Sequence, residues 1–449
     1  MDVLFLSRLQ FALTIAFHYI FPPISIGLGL ILVIMEGLYL RTKDPLYQQM
    51  TRFWVRIFGL IFAIGVASGI VMEFQFGTNW SAYSRYVGDV FGSALASEGI
   101  FAFFLESGFL AILLFGWNRV GPKIHFLSTV MVALGAHFSA VWIIVANSWQ
   151  QTPAGFHIVG EGLRTRAEIV DFWQMVFNPS TLDRLSHTLM GAWQAGAFFV
   201  LSVSAYYIIR KKHVEFAARS IKIGLCIAIF ASLMQLLTGH SSAQGVSKTQ
   251  PAKLAAFEAH FAESAPADIY LFGWVDEESE KVILGPRIPG LLSYFVTWDH
   301  NAPIQGLHAF PPDLRPPVNL VFQTYHAMVA VGVILIIIAM MGTFLWWRGK
   351  LFSVRWFLWI LVFSVLGPQL ANQLGWISAE VGRQPYVVYN LLLTSDGLSK
   401  TISAGQVALS LILFGVIYLL LLALFIYLLN DKIKHGPLEE DMISERHLA

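Results

Sequence analysis

Cysteine is almost missing from this 449-residue chain, which has only Cys226. A single thiol excludes an intrachain disulfide framework, a thiolate zinc site and an iron–sulfur cluster. Charge is scarce as well. Charged residues make up 13% of the chain, against about 25% in soluble domains, and they sum to a formal +1. That balance excludes recognition of nucleic acid by bulk electrostatics. The opening residues, MDVLFLSRLQ, lack the positive cluster that begins a secretory signal, so the first apolar run is expected to be a retained helix. No internal repeat suggests a transporter built from duplicated halves.

What the chain does have is apolar length, with 56% hydrophobic residues. Runs of about 20 residues, enough to cross the hydrocarbon of a bilayer, occur nine times. They lie at Phe11 to Leu38, Trp54 to Phe74, Ala94 to Trp117, His125 to Asn147, Leu185 to Ile209, Ala217 to Leu237, Val318 to Trp347, Trp356 to Trp376 and Ala404 to Leu429. The expected fold is therefore an all-α polytopic membrane protein of nine transmembrane helices. The connections after spans one, three, five and seven are short and basic, with Arg41, Lys43 and Arg52, then Arg119 and Lys123, then Arg210, Lys211 and Lys212, then Arg348, Lys350 and Arg355. Basic short loops mark the cytoplasmic side. This predicts an N-terminus outside, a C-terminus in the cytoplasm with Lys432 and Lys434 beside it, and the stretch 239–317 outside. The chain thus divides into helices one to six (1–238), an extracytoplasmic loop (239–317), and helices seven to nine with a cytoplasmic tail (318–449). The loop is expected to be a folded flap, with a short helix at Ala252 to Phe261 and a proline-rich end, PPDLRPP.

Polar residues inside such spans need a reason, because desolvated charge is costly there. In GWISAEVGRQPY, Gly375 to Tyr386, a helix would put Trp376, Glu380 and Arg383 on one face. A Glu380–Arg383 ion pair capping the helix is one explanation of the carboxylate, and a metal or a proton is another. His18, Glu98, His187, Met328 and Glu380 all fall in the outer half of their spans at about 1.5 Å per residue. Histidine, methionine and carboxylate offered by facing helices are the donors that iron porphyrins in a membrane require. Pro22 and Pro23 cannot donate to the carbonyls of His18 and Tyr19, so span one should kink beside the histidine. Glu106 follows Glu98 by eight residues, about 80° around and about 12 Å along a regular helix, and Ser139 on span four lies at a comparable depth. That grouping reads as a proton relay.

These residues sit in longer motifs: SRLQFALT at Ser7 to Thr14, MEFQFGTNW at Met72 to Trp80, EGIFAFFLES at Glu98 to Ser107, ALGAHFSAVWIIVANSWQQTP ending at Pro153, KTQPAKLAAFE at Lys248 to Glu258, and GWISAEVGRQP at Gly375 to Pro385. On them the chain resembles, over nearly its whole length, subunit I of the cytochrome bd-type quinol oxidases, of the type with a short quinol loop. The resemblance implies an electrogenic quinol:oxygen oxidoreductase of the bacterial cytoplasmic (inner) membrane. Such an enzyme oxidises membrane quinol outside and reduces dioxygen to water with cytoplasmic protons, building a membrane potential without pumping. It implies His187 and Met328 as axial ligands of a low-spin heme b. His18 and Glu380 would ligate two high-spin hemes, a heme b and a heme d or a heme b in its place. Trp376 would lie between hemes, Arg383 and Arg8 near propionates, and Glu98 at the oxygen-reducing pair. Glu106 and Ser139 would deliver protons, and Lys253 and Glu258 would hold quinol in the 239–317 loop. Expected partners are subunit II in a heterodimer, a small single-span subunit as a further candidate, ubiquinol or menaquinol, and dioxygen; no nucleic acid is expected.

Two positions depart from the pattern: His326 stands two residues before Met328, where relatives often carry arginine, and Tyr386 follows RQP in place of tryptophan. A heme–copper oxidase would need adjacent histidines, and there are none. A channel or secondary transporter would also explain buried glutamates and a long loop, but predicts no pigment.

Overall fold

The computed structural model describes residues 2–441. Among these, nine helices are long and apolar enough to span a membrane: Val3–Thr42, Pro45–Thr78, Gly88–Phe115, Pro122–Gln151, Thr181–Arg210, Val214–Thr249, Pro312–Trp347, Arg355–Val381 and Ala404–His435. Each overlaps one expected run. We number them spans one to nine, and call the end of the bundle that carries the 250–311 connection the loop end. Residues 442–449 of the expected tail lie outside the described residues.

Span one is broken where the prolines predict. Its halves are Val3–His18 and Phe21–Thr42, with Pro22 and Pro23 in the first turn of the second half. There a missing N–H costs nothing, because first-turn donors have no partner within the helix. Span eight is also broken, at Ser364 and Val365, between Arg355–Phe363 and Leu366–Val381. The Ser202 hydroxyl of span five donates to the Val362 carbonyl there, 2.5 Å away. Span six exceeds its expected length most. Its apolar pattern stops at Leu237, yet the helix continues through HSSAQGVSKT to Thr249, held against the start of span five by Ser241 donating to Asp183.

Spans one to four pack as one group, five to eight as a second, and span nine lies along spans one and two. The groups meet where span one crosses span five. A Cβ on Gly27 would sit 2.4 Å from the Ala192 carbonyl oxygen, and one on Gly196 would be 2.4 Å from the Gly27 carbonyl carbon. Only glycine permits that approach, which brings two backbones into van der Waals contact. The main apolar core surrounds this crossing, with Phe21, Leu28, Phe53, Trp54, Phe58 and Phe198 buried.

The loop is folded. It holds a helix at Pro251–Phe257, shorter than expected, two strand pairs (Ile269–Tyr270 with Arg287–Ile288, Trp274–Asp276 with Lys281–Ile283) and a helix at Leu291–Thr297.

Candidate functional site

The segment from Asn372 to Arg383 touches every group that carries a proposed ligand. Gln373 donates to the Ala16 carbonyl at 2.8 Å, and Trp376 meets Tyr19 edge to face at 5.5 Å, so span eight abuts the His18 kink. A Cβ on Gly191, one turn after His187, would be 2.6 Å from Asn372 Oδ1. A Cβ on Gly375 would be 2.9 Å from the Met328 sulfur. One turn of span eight therefore carries both the contact to the His187 turn of span five and the contact to Met328 of span seven. These contacts bring the turns that bear His18, His187 and Met328 together on one segment.

His187 and His18 are held by the same device. The Thr238 hydroxyl donates to Met234 O at 3.0 Å, so at 3.1 Å from His187 Nδ1 it is an acceptor. Nδ1 then carries the proton and Nε2 presents a lone pair, toward which Gln235 Nε2 points at 3.0 Å. In span two, Ser68 donates to Ile64 O and Gly65 O and stands 3.0 Å from His18 Nδ1. With the hydroxyl protons on those carbonyls, both rings take the tautomer a metal needs at Nε2. Each is faced by a glycine whose Cβ would press on the ring, Gly239 at 3.3 Å from His187 Cε1 and Gly69 at 3.2 Å from His18 Cε1.

Glu380 and Arg383 pair at 2.5 Å, as their spacing predicts. The carboxylate also accepts from Asn147 and Gln151, each at 3.1 Å, and Arg184 lies 3.8 Å away. Arg184 in turn donates to Asn147 and stands over the Trp376 ring at 5.6 Å. Lys253, only 2% exposed, reaches into the same cluster, donating to Gln151 and, at 2.6 Å, to Gln250. Burial lowers its pKa well below the ordinary lysine value; Arg184 and Arg383 lower it further, and Glu380 opposes them. Two arginines and this lysine thus surround one carboxylate, and Arg383 Nη1 and Arg184 Nε are buried without a hydrogen-bond partner. Buried charge in such excess calls for anions. Two carboxylates, the number on one heme, would pair the free arginine N–H groups and favour the charged form of the lysine. With the two histidine tautomers and their glycine-flanked rings, this makes the residues present fit heme.

Ser139 donates to Glu98 at 2.6 Å. Glu106, about two turns further along span three, meets span four one turn from Ser139, where a Cβ on Gly135 would be 2.9 Å from its Cβ. Between the glutamates runs a π-helical turn, Gly99–Phe103. Such a turn absorbs one residue, so the rotation from Glu98 to Glu106 falls from about 80° to within about 20°. Both carboxylates therefore face span four.

The loop pair separates. Lys253 points into the Glu380 cluster, whereas Glu258 is buried against span seven with its Oε2 unpartnered and 3.7 Å from His326 Nε2. Burial pushes the Glu258 carboxyl up to about 8. Arg8 does not join the cluster. It is exposed and lines an open cavity of about 730 Å³ with Gln384, Pro385 and Arg315. Sequence reasoning missed Arg184, Thr238 and Ser68. In sequence Arg184 is one charge in the first turn of a helix, with nothing to mark it from a solvated one, and hydroxyls four residues from a carbonyl carry no signal of their own. Asn147 and Gln151 were visible inside the ANSWQQTP run.

The model of the family described as cytochrome bd terminal oxidase subunit I matches residues 6–437. The chain is 40% identical, over 97% of its length and 94% of the relative's, to cytochrome bd ubiquinol oxidase subunit 1 of Bacillus subtilis. It is 35% identical to cytochrome bd-II ubiquinol oxidase subunit 1 of Escherichia coli, covering 97% of each chain. The solved bd oxidase of Geobacillus thermodenitrificans superposes with a TM-score of 0.90 at 30% identity, covering 97% of this chain and 99% of that one.

Proposed function

We propose a division of labour among these residues, from the premise that this chain belongs to the cytochrome bd terminal oxidase subunit I family. As a member it is a heme-bearing subunit of a quinol:oxygen oxidoreductase, a multi-pass protein of the bacterial inner membrane that works with a partner subunit. The hemes, when bound, pass electrons singly from quinol to dioxygen.

In our reading His187 and Met328 would hold a low-spin heme b, which would supply electron transfer there. His18 and Glu380 hold the two high-spin hemes, a heme b and a heme d or a heme b in its place. Arg184, Lys253 and Arg383 balance propionate charge, and Trp376 separates the hemes. The observation that carries this reading is the convergence on Asn372 to Arg383 of contacts from the turns bearing His18, His187 and Met328, beside Arg184, Lys253 and Arg383.

The basic loops put the loop end outside, with the N-terminus, and the C-terminus inside. Glu106, Ser139 and Glu98 then pass protons from the cytoplasmic side; the 2.6 Å Ser139–Glu98 hydrogen bond and the shared facing of the two glutamates support that order. Glu258 takes a proton from quinol and releases it outside. Protons consumed inside and released outside build a potential with no pump. The loop between spans six and seven is the quinol-binding region, subunit II completes a heterodimer, and a small single-span subunit joins it.

The test is oxygen uptake by the purified complex with ubiquinol and with menaquinol analogues, then quinol-driven turnover in sealed vesicles. Uptake with acidification of the outer medium is expected. Uptake without acidification would contradict the proton assignment, and no uptake with either quinol would contradict the function.

A further inference from the structure

Glu36 and His125 are each only 1% exposed, and nothing assigned so far uses them. They lie at the end of the bundle opposite the loop, the cytoplasmic one in the reading above. Three span ends meet there: Glu36 precedes Thr42, the last residue of span one, by six residues, His125 follows Pro122, the first of span four, by three, and Leu113 is two from Phe115, the last of span three. The surroundings are apolar, with Leu32, Met35, Leu113 and Val132 on the adjoining turns buried in the main core. A buried ion pair in such a setting seldom holds a fold together better than apolar residues of the same volume. Packing alone therefore gives no reason for it.

The contacts fix how many protons the pair holds. His125 Nε2 is 3.2 Å from the Leu113 carbonyl oxygen, which can only accept, so Nε2 carries a hydrogen. His125 Nδ1 is 2.6 Å from Glu36 Oε1. One proton therefore lies between them, on the carboxyl of a neutral pair or on the imidazole of an ionised one. The Thr129 hydroxyl donates to the other carboxyl oxygen, Oε2. Imidazole, carboxyl and hydroxyl thus follow one another up span four, from His125 to Thr129. Gly135, the glycine packed on Glu106, is six residues beyond Thr129, about 9 Å along the helix. Three hydrogen-bonded steps of about 2.8 Å cover that distance. On the other side of His125, Trp117 stands over the imidazole at 3.8 Å, and Arg52 lies over the same indole at 4.8 Å while donating to Asn118. Asn118 and Arg119 are exposed, so one half-buried ring separates the imidazole from the cytoplasmic loop.

We propose that Glu36 and His125 are the first station of the proton relay, taking protons from the cytoplasm past Trp117 and passing them, with Thr129 as the bridge, to Glu106. This rests on the relay reading above and adds its cytoplasmic start. In the transfer the His125 Nδ1–H bond breaks as the Glu36 Oε1–H bond forms. The Glu36 proton then leaves toward Glu106, and one proton from the cytoplasm restores the pair, which ends as it began. No electron passes through it; the protons are those that dioxygen reduction consumes.

The experiment uses the intact oxidase with its partner subunit and a decyl-substituted benzohydroquinone. Glu36→Gln keeps the shape and both hydrogen bonds and removes the transferable proton. Its kcat for oxygen uptake is expected to fall about tenfold or more, toward the scale of a positioned proton carrier, with kcat/KM for the hydroquinone and the reduced-minus-oxidised heme spectrum as in wild type. The solvent deuterium isotope effect on kcat should rise, which the loss of a purely structural contact would not cause. Stations in series also require that Glu36→Gln combined with Glu106→Gln be no slower than Glu106→Gln alone. Unchanged kcat, a lowered kcat without the larger isotope effect, or losses that multiply in the double variant overturn the proposal. Should Glu36→Gln assemble without heme, Thr129→Val, which removes only the bridging hydroxyl, decides by the same measurements. If Glu106→Gln itself turned over at the wild-type rate, the relay reading would fail instead, so the two failures are distinguishable.

Discussion

Thr238 is the most informative residue to change, because valine copies its shape and removes only the oxygen that accepts from His187 Nδ1 at 3.1 Å. In Thr238→Val the Nδ1 proton faces a methyl group inside the bundle. Leaving a buried donor unpaired costs about 1 to 3 kcal/mol, or about one to two factors of ten in an equilibrium constant. Loss of a hydrogen bond that orients a metal-bound histidine costs about 10- to 100-fold in metal affinity. The two estimates agree, so the variant is expected to retain heme at His187 at least about tenfold more weakly. It should also show a raised low-spin midpoint potential, since a less basic imidazole stabilises ferric iron less. Ser68→Ala removes the corresponding acceptor from His18 and should shift only the high-spin signals. The assay is heme content by pyridine hemochrome, with a redox titration of the reduced-minus-oxidised spectrum in each variant. A low-spin band of unchanged amplitude and potential in Thr238→Val would refute the reasoning, as would both variants perturbing the same band.

Three further outcomes are expected. His187→Ala and Met328→Leu should each abolish the low-spin heme signal and quinol oxidation, and a wild-type spectrum in either breaks the ligand assignment. Glu106→Gln should slow oxygen reduction about 10²-fold, the scale of a positioned proton donor, with heme content intact; unchanged turnover removes Glu106 from the relay. Glu258 has its pKa raised to about 8 by burial, so it is protonated at neutral pH and acts as a base only once ionised. Quinol oxidation should therefore rise as pH passes about 8, and Glu258→Gln should flatten that limb. Linkage has the opposite sign: folding favours the protonated form, so stability from this group falls as pH rises from the ordinary carboxylate range to about 8. A pH profile identical in wild type and Glu258→Gln would show that another group titrates.

Much of this arrangement was legible before any coordinates. Apolar run length located all nine spans, and Pro22 and Pro23 located the break in span one. The Glu380–Arg383 spacing anticipated their ion pair, because i and i+3 are neighbours on any helix. Other features depend on what the chain meets in three dimensions. The polar end of span six stays helical past Leu237 because it packs on span five and the loop, a tertiary effect invisible to hydropathy. The π-turn at Gly99–Phe103 has no marker in GIFAF, yet it aligns two glutamates that a regular helix would splay. Lys253 lies on a short helix and Glu258 just past its end, yet each is drawn into a different buried polar group, and Arg184 becomes recognisable only once Glu380, Asn147 and Trp376 are beside it.

The central claim is that one segment of span eight gathers ligands from separate spans around iron. The most direct measurement is an experimental density map of the purified complex with its hemes resolved. The account predicts an iron bonded to His187 Nε2 on one face and Met328 Sδ on the other, with propionates on the Arg184, Lys253 and Arg383 cluster. A map in which His187 and Met328 bind no common iron, or in which those cations meet no heme carboxylate, would contradict it.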